Sequence, residues 1–197
     1  MKVVAFNGSP RADSNTAILI RHVFAELNKE GIETEEVSLA GKPLRGCLGC
    51  YKCYINQNRQ CIQSKDALNG YVEKMIQADG IIMASPVYVC SVPSEMKALI
   101  DRAVMVNKAN GGLFRRKVGA AVVAARRGGM ITAFDTLNHF FLLSEMIVPG
   151  VFLLEFCHRT GERGRGQRPG RHPDHAGPGP EHGVADEEAV RVSGVHG

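Results

Sequence analysis

Long hydrophobic runs, a secretion leader and a basic nucleic-acid-binding face are all missing from this sequence. Its apolar runs, such as residues 118 to 125, fall far short of the roughly 20 residues needed to cross a bilayer. The first residues lack the apolar core of a signal peptide and lead into a strand-like pattern. Lys and Arg do not cluster with aromatic residues, and the net charge is only +4. We therefore expect a cytoplasmic protein with no membrane and no nucleic-acid partner.

The composition is that of one globular domain. The chain has 197 residues, of which 44% are hydrophobic and 22% are charged, enough to form a core. It also contains six cysteines. Because the cytoplasm keeps thiols reduced, we expect these cysteines to be metal ligands or free thiols rather than disulfides.

Strand-like and helix-like patterns alternate along the first 150 residues. Short apolar runs predict strands at residues 2–7, 34–39, 81–85 and 118–124, and a fifth strand that begins at 146–149. Apolar residues at helical spacing predict helices at 16–29, 64–77 with Ser64 as its cap, 93–106 and 132–145. This alternation predicts an α/β fold with a doubly wound, parallel, five-stranded sheet. Ligands of such sheets bind beyond the carboxyl ends of the strands, so the loops after strands one, three and four are candidate sites.

The last part of the chain, residues 151–197, departs from this pattern. Apolar periodicity stops near Phe156, and Gly, Arg, Pro and His dominate residues 161–183. Read one nucleotide later from Val151, the permitted codons include a segment L-N-M-A-W-L-T-K-K-L-S with the periodicity of an amphipathic helix. We hypothesise that residues 151–197 are an out-of-frame translation, which disrupts the last strand and the C-terminal helix. The domain is therefore expected to span residues 1–150, and the tail is assigned no function.

The loop after the first strand, residues 8–16, has the residue types that bind a phosphate. A phosphate needs backbone N–H donors at a helix N-terminus, short hydroxyl side chains and a fixed positive charge. The alternative is an ordinary capped turn, since Ser, Asn and Thr are common helix caps. Neither G-x-G-x-x-G nor G-K-[ST] is present, which favours a monophosphate over a dinucleotide or a triphosphate. The candidate phosphate-binding residues are Ser9, Arg11, Ser14, Asn15 and Thr16.

The loops after strands three and four have features suited to a planar ring. Pro86 stiffens its turn, and Tyr88 offers a flat ring on which a planar cofactor could rest, unless it is a core tyrosine. Gly128 and Gly129 would let backbone amides approach a heterocycle, unless they form a plain turn. A phosphate cradle, a ring platform and amide donors at one edge of a sheet are together what flavin mononucleotide (FMN) requires.

Four cysteines follow the second strand with the spacing C-x2-C-x2-C-x7-C. Closely spaced thiolates on one loop can reach a single small cluster, and the first three resemble the three-cysteine run of ferredoxin-type sites. Four thiolates suit a 4Fe-4S cluster, but they could also hold zinc or remain as reduced, metal-free thiols. The candidate ligands are Cys47, Cys50, Cys53 and Cys61.

These motifs together resemble the NADPH-dependent FMN reductase superfamily of flavodoxin-like proteins. The resemblance covers residues 1 to about 150 and rests on G-S-P-R-x-x-S-N-T, on S-P-V-Y with P-x-x-M-K-x-x-I-D-R, and on R-x-G-G. It implies FMN, with its phosphate at the five candidate residues of the first loop, and a homodimer or homotetramer. It also implies that the flavin ring lies near Pro86, Val87, Tyr88, Gly128 and Gly129.

The cysteine spacing is similar to that of the iron-sulfur flavoprotein subfamily, with a last gap toward the long end of that pattern. This resemblance implies a flavin-dependent oxidoreductase. In such a protein a reduced ferredoxin or a similar carrier supplies electrons through the 4Fe-4S cluster to FMN, and a small acceptor such as dioxygen, peroxide or a quinone receives them. The alternatives are a cluster-free NAD(P)H-dependent FMN or quinone reductase and a flavodoxin-like electron carrier.

Overall fold

The computed structural model describes residues 1–150, in which strands and helices alternate. The strands are β1 (Lys2–Asn7), β2 (Glu33–Ser38), β3 (Gly80–Pro86) and β4 (Val118–Ala124). The helices are α1 (Asn15–Lys29), α2 (Lys52–Asn56), α3 (Leu68–Gln77), α4 (Ser94–Ala109) and α5 (Met130–Leu143). The four strands form one parallel sheet in the order β2-β1-β3-β4, which confirms the predicted α/β architecture.

The inner strands β1 and β3 are buried, and their alternate residues join two separate cores. On one face, Val4 and Phe6 pack in a core with residues of α3, α4 and α5. On the other face, Val3 and Ala5 pack against Ile20 of α1. The near-continuous apolar pattern of these strands therefore reflects a sheet that is covered on both sides.

Helix α3 begins later than the sequence predicts. The predicted cap, Ser64, lies outside the helix, and Leu68 is the first helical residue. The Oδ1 atom of Asp66 instead accepts a hydrogen bond from the Leu68 amide at 3.3 Å. The cap prediction was wrong because Asp66 is fixed by a distant ion-pair partner, Arg102, which the local pattern does not reveal.

The short helix α2 was not predicted either. It lies inside the cysteine-rich segment, which we define as residues 47–61, and it is flanked by Tyr51 and Gln57. Both flanking residues have positive φ values, 55° and 46°, so the helix is bounded on each side by a sharp change of chain direction. The first four predicted strands and the other three predicted helices are confirmed, with boundaries that move by at most three residues.

The predicted fifth strand is represented by one isolated bridge. Ile147 pairs with Val118 in the parallel direction: the Ile147 amide donates to the Lys117 carbonyl, and the Gly119 amide donates to the Ile147 carbonyl, both at 2.9 Å. Residues 1–150 therefore contain four strands rather than five. The hypothesis about residues 151–197, including the C-terminal helix, lies outside the described residues. In the described part of the chain, every helix is too short or too polar to span a membrane.

Candidate functional site

The loops after β1, β3 and β4 meet at one edge of the sheet. The Gly8 amide donates to the Ala84 carbonyl at 2.8 Å, which ties the loop after β1 to the end of β3. The Val87 amide donates to the Ala124 carbonyl at 3.0 Å, which ties the loop after β3 to the end of β4. The predicted phosphate-binding and ring-binding residues therefore lie at the same edge, where doubly wound sheets bind their ligands.

The loop of residues 8–16 is held by hydrogen bonds between residues that are close in sequence, and it leads into α1. Ser9 Oγ accepts from the Arg11 amide at 3.2 Å, and Ser14 Oγ accepts from the Ala17 amide at 3.1 Å as the N-cap of α1. Each oxygen accepts, so each O–H group is still able to donate. Thr16 is 1% exposed, and its hydroxyl oxygen has no hydrogen-bond partner among the described residues. Because buried polar groups are normally paired, this hydroxyl fits a ligand oxygen.

The electrostatics of this loop also suit an anion. Asn15 and Thr16 open α1, whose first turn contains no acidic residue. The first amides of a helix carry a partial positive charge, and no carboxylate within that turn opposes it. Arg11, three residues before the Ser14 cap, is exposed and adds a full positive charge to a loop whose one carboxylate is the exposed Asp13. The loop therefore has the backbone donors, hydroxyls and cation that a phosphate monoester requires.

The loop after β3 forms a strained tight turn that exposes its apolar side chains. The amides and carbonyls of Tyr88 and Ser91 bond reciprocally, at 2.7 and 3.0 Å. The two residues between them, Val89 and Cys90, have φ values of 46° and 61°, as in a type I′ turn, although β-branched residues rarely adopt this conformation. Tyr88 is 43% exposed, so it is not the core tyrosine that the sequence left open. Its ring is accessible to a planar ligand.

Gly129 is a point of close approach between the loops after β3 and β4. Its φ value is 94°, and a methyl group at this position would lie 2.6 Å from Cys90 Cα and 2.9 Å from Val87 Cγ1. No side chain fits there, so glycine is required both for the backbone conformation and for the close contact. Gly128 differs, because a methyl group on it would meet no atom within 4 Å. Pro86 ends β3 and thereby brings Val87 to this contact.

The four candidate cysteine ligands line a single cavity together with Arg102, Met105 and Val106 of α4. Cys47 and Cys50 are exposed, whereas Cys53 and Cys61 are half-buried. Burial raises the pKa of the Cys53 thiol, and the nearby Cys61 and Cys47 sulfurs raise it further. No group of three or more His, Cys, Asp or Glu side chains within residues 1–150 is arranged to hold a single metal ion. The segment thus brings four thiols to one cavity without closing them around one ion.

Sequence reasoning did not find the buried Arg102 behind these thiols. Arg102 is 1% exposed and forms an ion pair with Asp66, with an Nη2 to Oδ1 distance of 3.2 Å. Its Nη1 atom also donates to the Arg45 carbonyl at 3.1 Å, and its Nη2 atom donates to the Gln63 carbonyl at 2.9 Å. Burial alone would raise the pKa of Asp66, but the Arg102 guanidinium and the Leu68 amide hold it below its usual value.

One signal in the sequence could have revealed Arg102. It lies three residues after Leu99 and four before Val106, so it shares the buried face of α4 with both. A charged residue on the apolar face of a helix is almost never fully buried unless it is paired. The position of Arg102 therefore predicts a buried partner, although local sequence does not identify Asp66, which lies 36 residues away.

Comparisons with known proteins agree with this arrangement. A family model described as NADPH-dependent FMN reductase matches residues 1–159. An iron-sulfur flavoprotein of Methanocaldococcus jannaschii is 41% identical over 152 residues, which cover 76% of each chain. The crystal structure of RosB with bound 8-demethyl-8-formylriboflavin-5'-phosphate is similar with a TM-score of 0.64 and 20% identity, over 76% of this chain and 62% of that chain. A flavodoxin from the domain Archaea is similar with a TM-score of 0.50 and 15% identity, over 76% and 78%.

Proposed function

Since the chain belongs to the NADPH-dependent FMN reductase family and to the iron-sulfur flavoproteins within it, we propose a specific electron route. The protein is a flavin-dependent oxidoreductase with a flavodoxin-like fold. In the proposed route a one-electron donor of the ferredoxin type delivers electrons singly, through a 4Fe-4S cluster, to FMN. A small acceptor such as dioxygen, peroxide or a quinone then receives two electrons, so each turnover consumes two reduced donors. We further propose that the protein acts in the cytoplasm as a homodimer or homotetramer.

The FMN phosphate is assigned to the loop between β1 and α1. The buried Thr16 hydroxyl supports this assignment, because it has no partner within residues 1–150. The α1 amides and Arg11 supply the positive charge that a phosphate monoester needs. The proposed phosphate-binding residues are Ser9, Arg11, Ser14, Asn15 and Thr16.

The FMN ring is assigned to the contact between the loops after β3 and β4. The exposed Tyr88 ring offers a flat surface, and Gly129 keeps side chains away from the junction of the two loops. When bound, FMN supplies the exchange of one or two electrons. The proposed ring-binding residues are Pro86, Val87, Tyr88, Gly128 and Gly129.

The cavity lined by all four cysteines is the observation that carries the cluster assignment. Cys47, Cys50, Cys53 and Cys61 are the proposed ligands. A zinc ion, with Zn–S bonds of about 2.3 Å, would need the four sulfurs about 4 Å apart, whereas each cysteine of a 4Fe-4S cluster binds a different iron. Within residues 1–150, all four thiols line one cavity but no three of them are arranged to hold a single ion, which favours the cluster over zinc. When bound, a 4Fe-4S cluster supplies one-electron exchange.

The charges around the cysteines favour an acidic electron donor. Between residues 37 and 65 the chain has no Asp or Glu. The side chains of Leu48, Tyr51 and Ile55 are exposed at the centre of this region. Exposed basic side chains steer an acidic protein toward a surface, and exposed apolar side chains help to dock it. The basic residues are Lys42, Arg45, Lys52, Arg59 and Lys65, all of them exposed.

Metal and flavin content test this proposal directly. We expect protein purified without oxygen to contain FMN with about four irons and four sulfides per chain. Cys61→Ser should lose iron while retaining FMN. Cys90→Ser is the matched control for iron content, because Cys90 lies outside the cysteine-rich segment. Zinc in place of iron, or flavin with neither metal, would contradict the proposed route.

The family description, which names NADPH, favours a second candidate function. In this alternative the protein is a cluster-free reductase that takes a hydride from NADPH and passes two electrons to a flavin or quinone. Normal NADPH-dependent turnover by Cys50→Ser would support it, since that variant removes a proposed cluster ligand. Turnover that depends on a reduced one-electron carrier and is lost in Cys50→Ser supports the route through the cluster.

A further inference from the structure

We propose that Arg102 is a positioning residue that fastens the two ends of the cysteine-rich segment and holds Cys61 toward the other three thiols. The inference rests on the proposed function, in which these four thiols hold a cluster. It assigns a role to a residue of α4 that lies outside the cysteine motif itself.

The hydrogen bonds of Arg102 hold together the two residues that flank the cysteine-rich segment, Arg45 and Gln63. Arg45 lies two residues before Cys47, and Gln63 lies two residues after Cys61. The carbonyls of both flanking residues accept hydrogen bonds from the one guanidinium, at 3.1 and 2.9 Å. A bond at each end of the segment restricts its conformational freedom, as closure of a loop does.

Asp66 keeps the guanidinium in this orientation. It pairs with both terminal nitrogens of Arg102, and its Oδ2 atom also accepts from the Arg45 amide at 3.4 Å. Arginine suits this position because its planar fork can bond two carbonyls and one carboxylate at once. A lysine ammonium would retain the charge without that fork.

The remaining donor of Arg102 is its Nε–H group, and Cys61 is close enough to interact with the guanidinium. Its Nε atom is buried and has no hydrogen-bond partner among the described residues, although buried N–H groups are normally paired. Arg102 lines the same cavity as the four cysteines. An N–H group and a positive charge beside that cavity would stabilise the negative charge of thiolate and sulfide ligands.

A second residue holds the backbone of Cys61. The Cys61 amide donates to Asn69 Oδ1 at 2.8 Å, and Asn69 Nδ2 donates to the Cys61 carbonyl at 3.0 Å. Cys61 is the ligand separated from its neighbour, Cys53, by the longest interval in the motif. Asn69 fixes its main chain and Arg102 fixes the residues beyond it, so the long interval does not leave Cys61 loosely placed.

Thiol reactivity in metal-free, FMN-loaded full-length protein tests the fastening role. We expect Arg102→Lys, which retains a positive charge near the thiols, to accelerate alkylation of Cys61 by iodoacetamide several-fold, because a loosened segment exposes a thiol that is half-buried in the wild type. Alkylation of Cys90 in the same sample should not change. Arg115→Lys is the matched control, because Arg115 pairs with Glu145 at 2.8 Å on the exposed surface. An unchanged rate at Cys61 in Arg102→Lys would overturn the inference.

A double variant keeps the test valid if Arg102→Lys is unstable. Arg102→Met with Asp66→Asn removes both buried charges together, so neither is left unpaired. In cluster-loaded protein we expect this variant to lower the midpoint potential of the cluster, because it removes the N–H donor and the cation that line the cavity, whereas Asp66 does not line it. Arg102→Lys keeps a cation there and should lower the potential less. A potential unchanged in the double variant, or loss of FMN binding in both variants, would overturn the positioning role. Wild-type protein without iron would contradict the proposed function, while the alkylation rates would still decide the role of Arg102.

Discussion

At the scale of single residues, the Thr16 hydroxyl gives a direct test of the phosphate site. It is buried without a partner in the described part of the chain, so it destabilises FMN-free protein and is able to donate to a phosphate. We expect Thr16→Val to raise the melting temperature of FMN-free protein. The same variant should weaken FMN binding about tenfold or more in a fluorescence titration, as the loss of a hydrogen bond to a charged group does.

Thr136→Val is the matched control for this experiment. The Thr136 hydroxyl is on α5, where it donates to the Thr132 carbonyl at 2.8 Å in an exposed position. Its removal should leave FMN affinity unchanged. If Thr16→Val also binds FMN as tightly as the wild type, the assignment of the phosphate to this loop is wrong.

Alanine substitution of the adjacent glycines Gly128 and Gly129 is expected to change stability by different amounts. Gly129 has a φ value of 94° and lies against Cys90, so Gly129→Ala should lower the free energy of unfolding by about 1–3 kcal/mol in urea titrations. Gly128→Ala should change it little, because the added methyl group meets no atom within 4 Å. Equal losses in the two variants would show that the close contact between the loops after β3 and β4 does not matter to stability.

The individual residues differ in how far the sequence could predict them. Ser14 and Thr16 lie at the start of a helix that its own apolar periodicity reveals, so the sequence predicts both their position and a phosphate as their ligand. Tyr88 required the structure, because local sequence does not distinguish an exposed turn from a buried one. Arg102 and Asp66 are 36 residues apart, and only the packing of α4 against the cysteine-rich segment reveals that they meet.

At the scale of secondary-structure elements, Asp66 links the start of α3 to the chain before the cysteine-rich segment, because it accepts hydrogen bonds from the Leu68 and Arg45 amides. The Arg102 guanidinium and nearby amides hold its pKa below the unfolded value of about 3.9, despite the opposing effect of burial. Ionised Asp66 therefore stabilises the fold above about pH 4, and this contribution is lost as the pH falls through the lowered pKa. We expect wild-type protein to lose more unfolding free energy between about pH 5 and pH 2 than the Arg102→Met, Asp66→Asn double variant.

Urea titrations of FMN-free protein at a series of pH values measure this difference. The double variant is the control for all other carboxylates, which it retains. Parallel losses of stability in the two proteins would show that Asp66 contributes nothing specific to the acid sensitivity of the fold.

The elements themselves were predictable where their apolar pattern is continuous. β1 and β4 have the predicted bounds, because both are short apolar runs between clear turn signals. α2 was missed, since its five residues, Lys52–Asn56, are too few to show an apolar period. The start of α3 was misplaced because Asp66 acts through a tertiary contact rather than through a local cap.

At the scale of the whole molecule, the two faces of the sheet are covered unequally within residues 1–150. α3, α4 and α5 contribute to the core on one face, whereas α1 supplies the helical residues of the core on the other. Near the β4 edge, Val118, Leu142, Leu143 and Ile147 are all exposed. The bridge from Ile147 to Val118 runs in the direction that a fifth parallel strand would take. A further strand and helix would cover these apolar groups.

This unequal cover gives the out-of-frame hypothesis a physical consequence. We propose that residues 1–150 are the FMN-binding domain and that residues 151–197 arise from a shifted reading frame after Gly150. Restoring the frame by one nucleotide should raise the melting temperature and reduce self-association in light scattering, because the added strand and helix would bury apolar surface that the present chain exposes. DNA sequencing of the source across the Gly150 codon is the decisive measurement. An intact frame there, or a frame-restored protein no more stable than the present chain, would contradict the hypothesis.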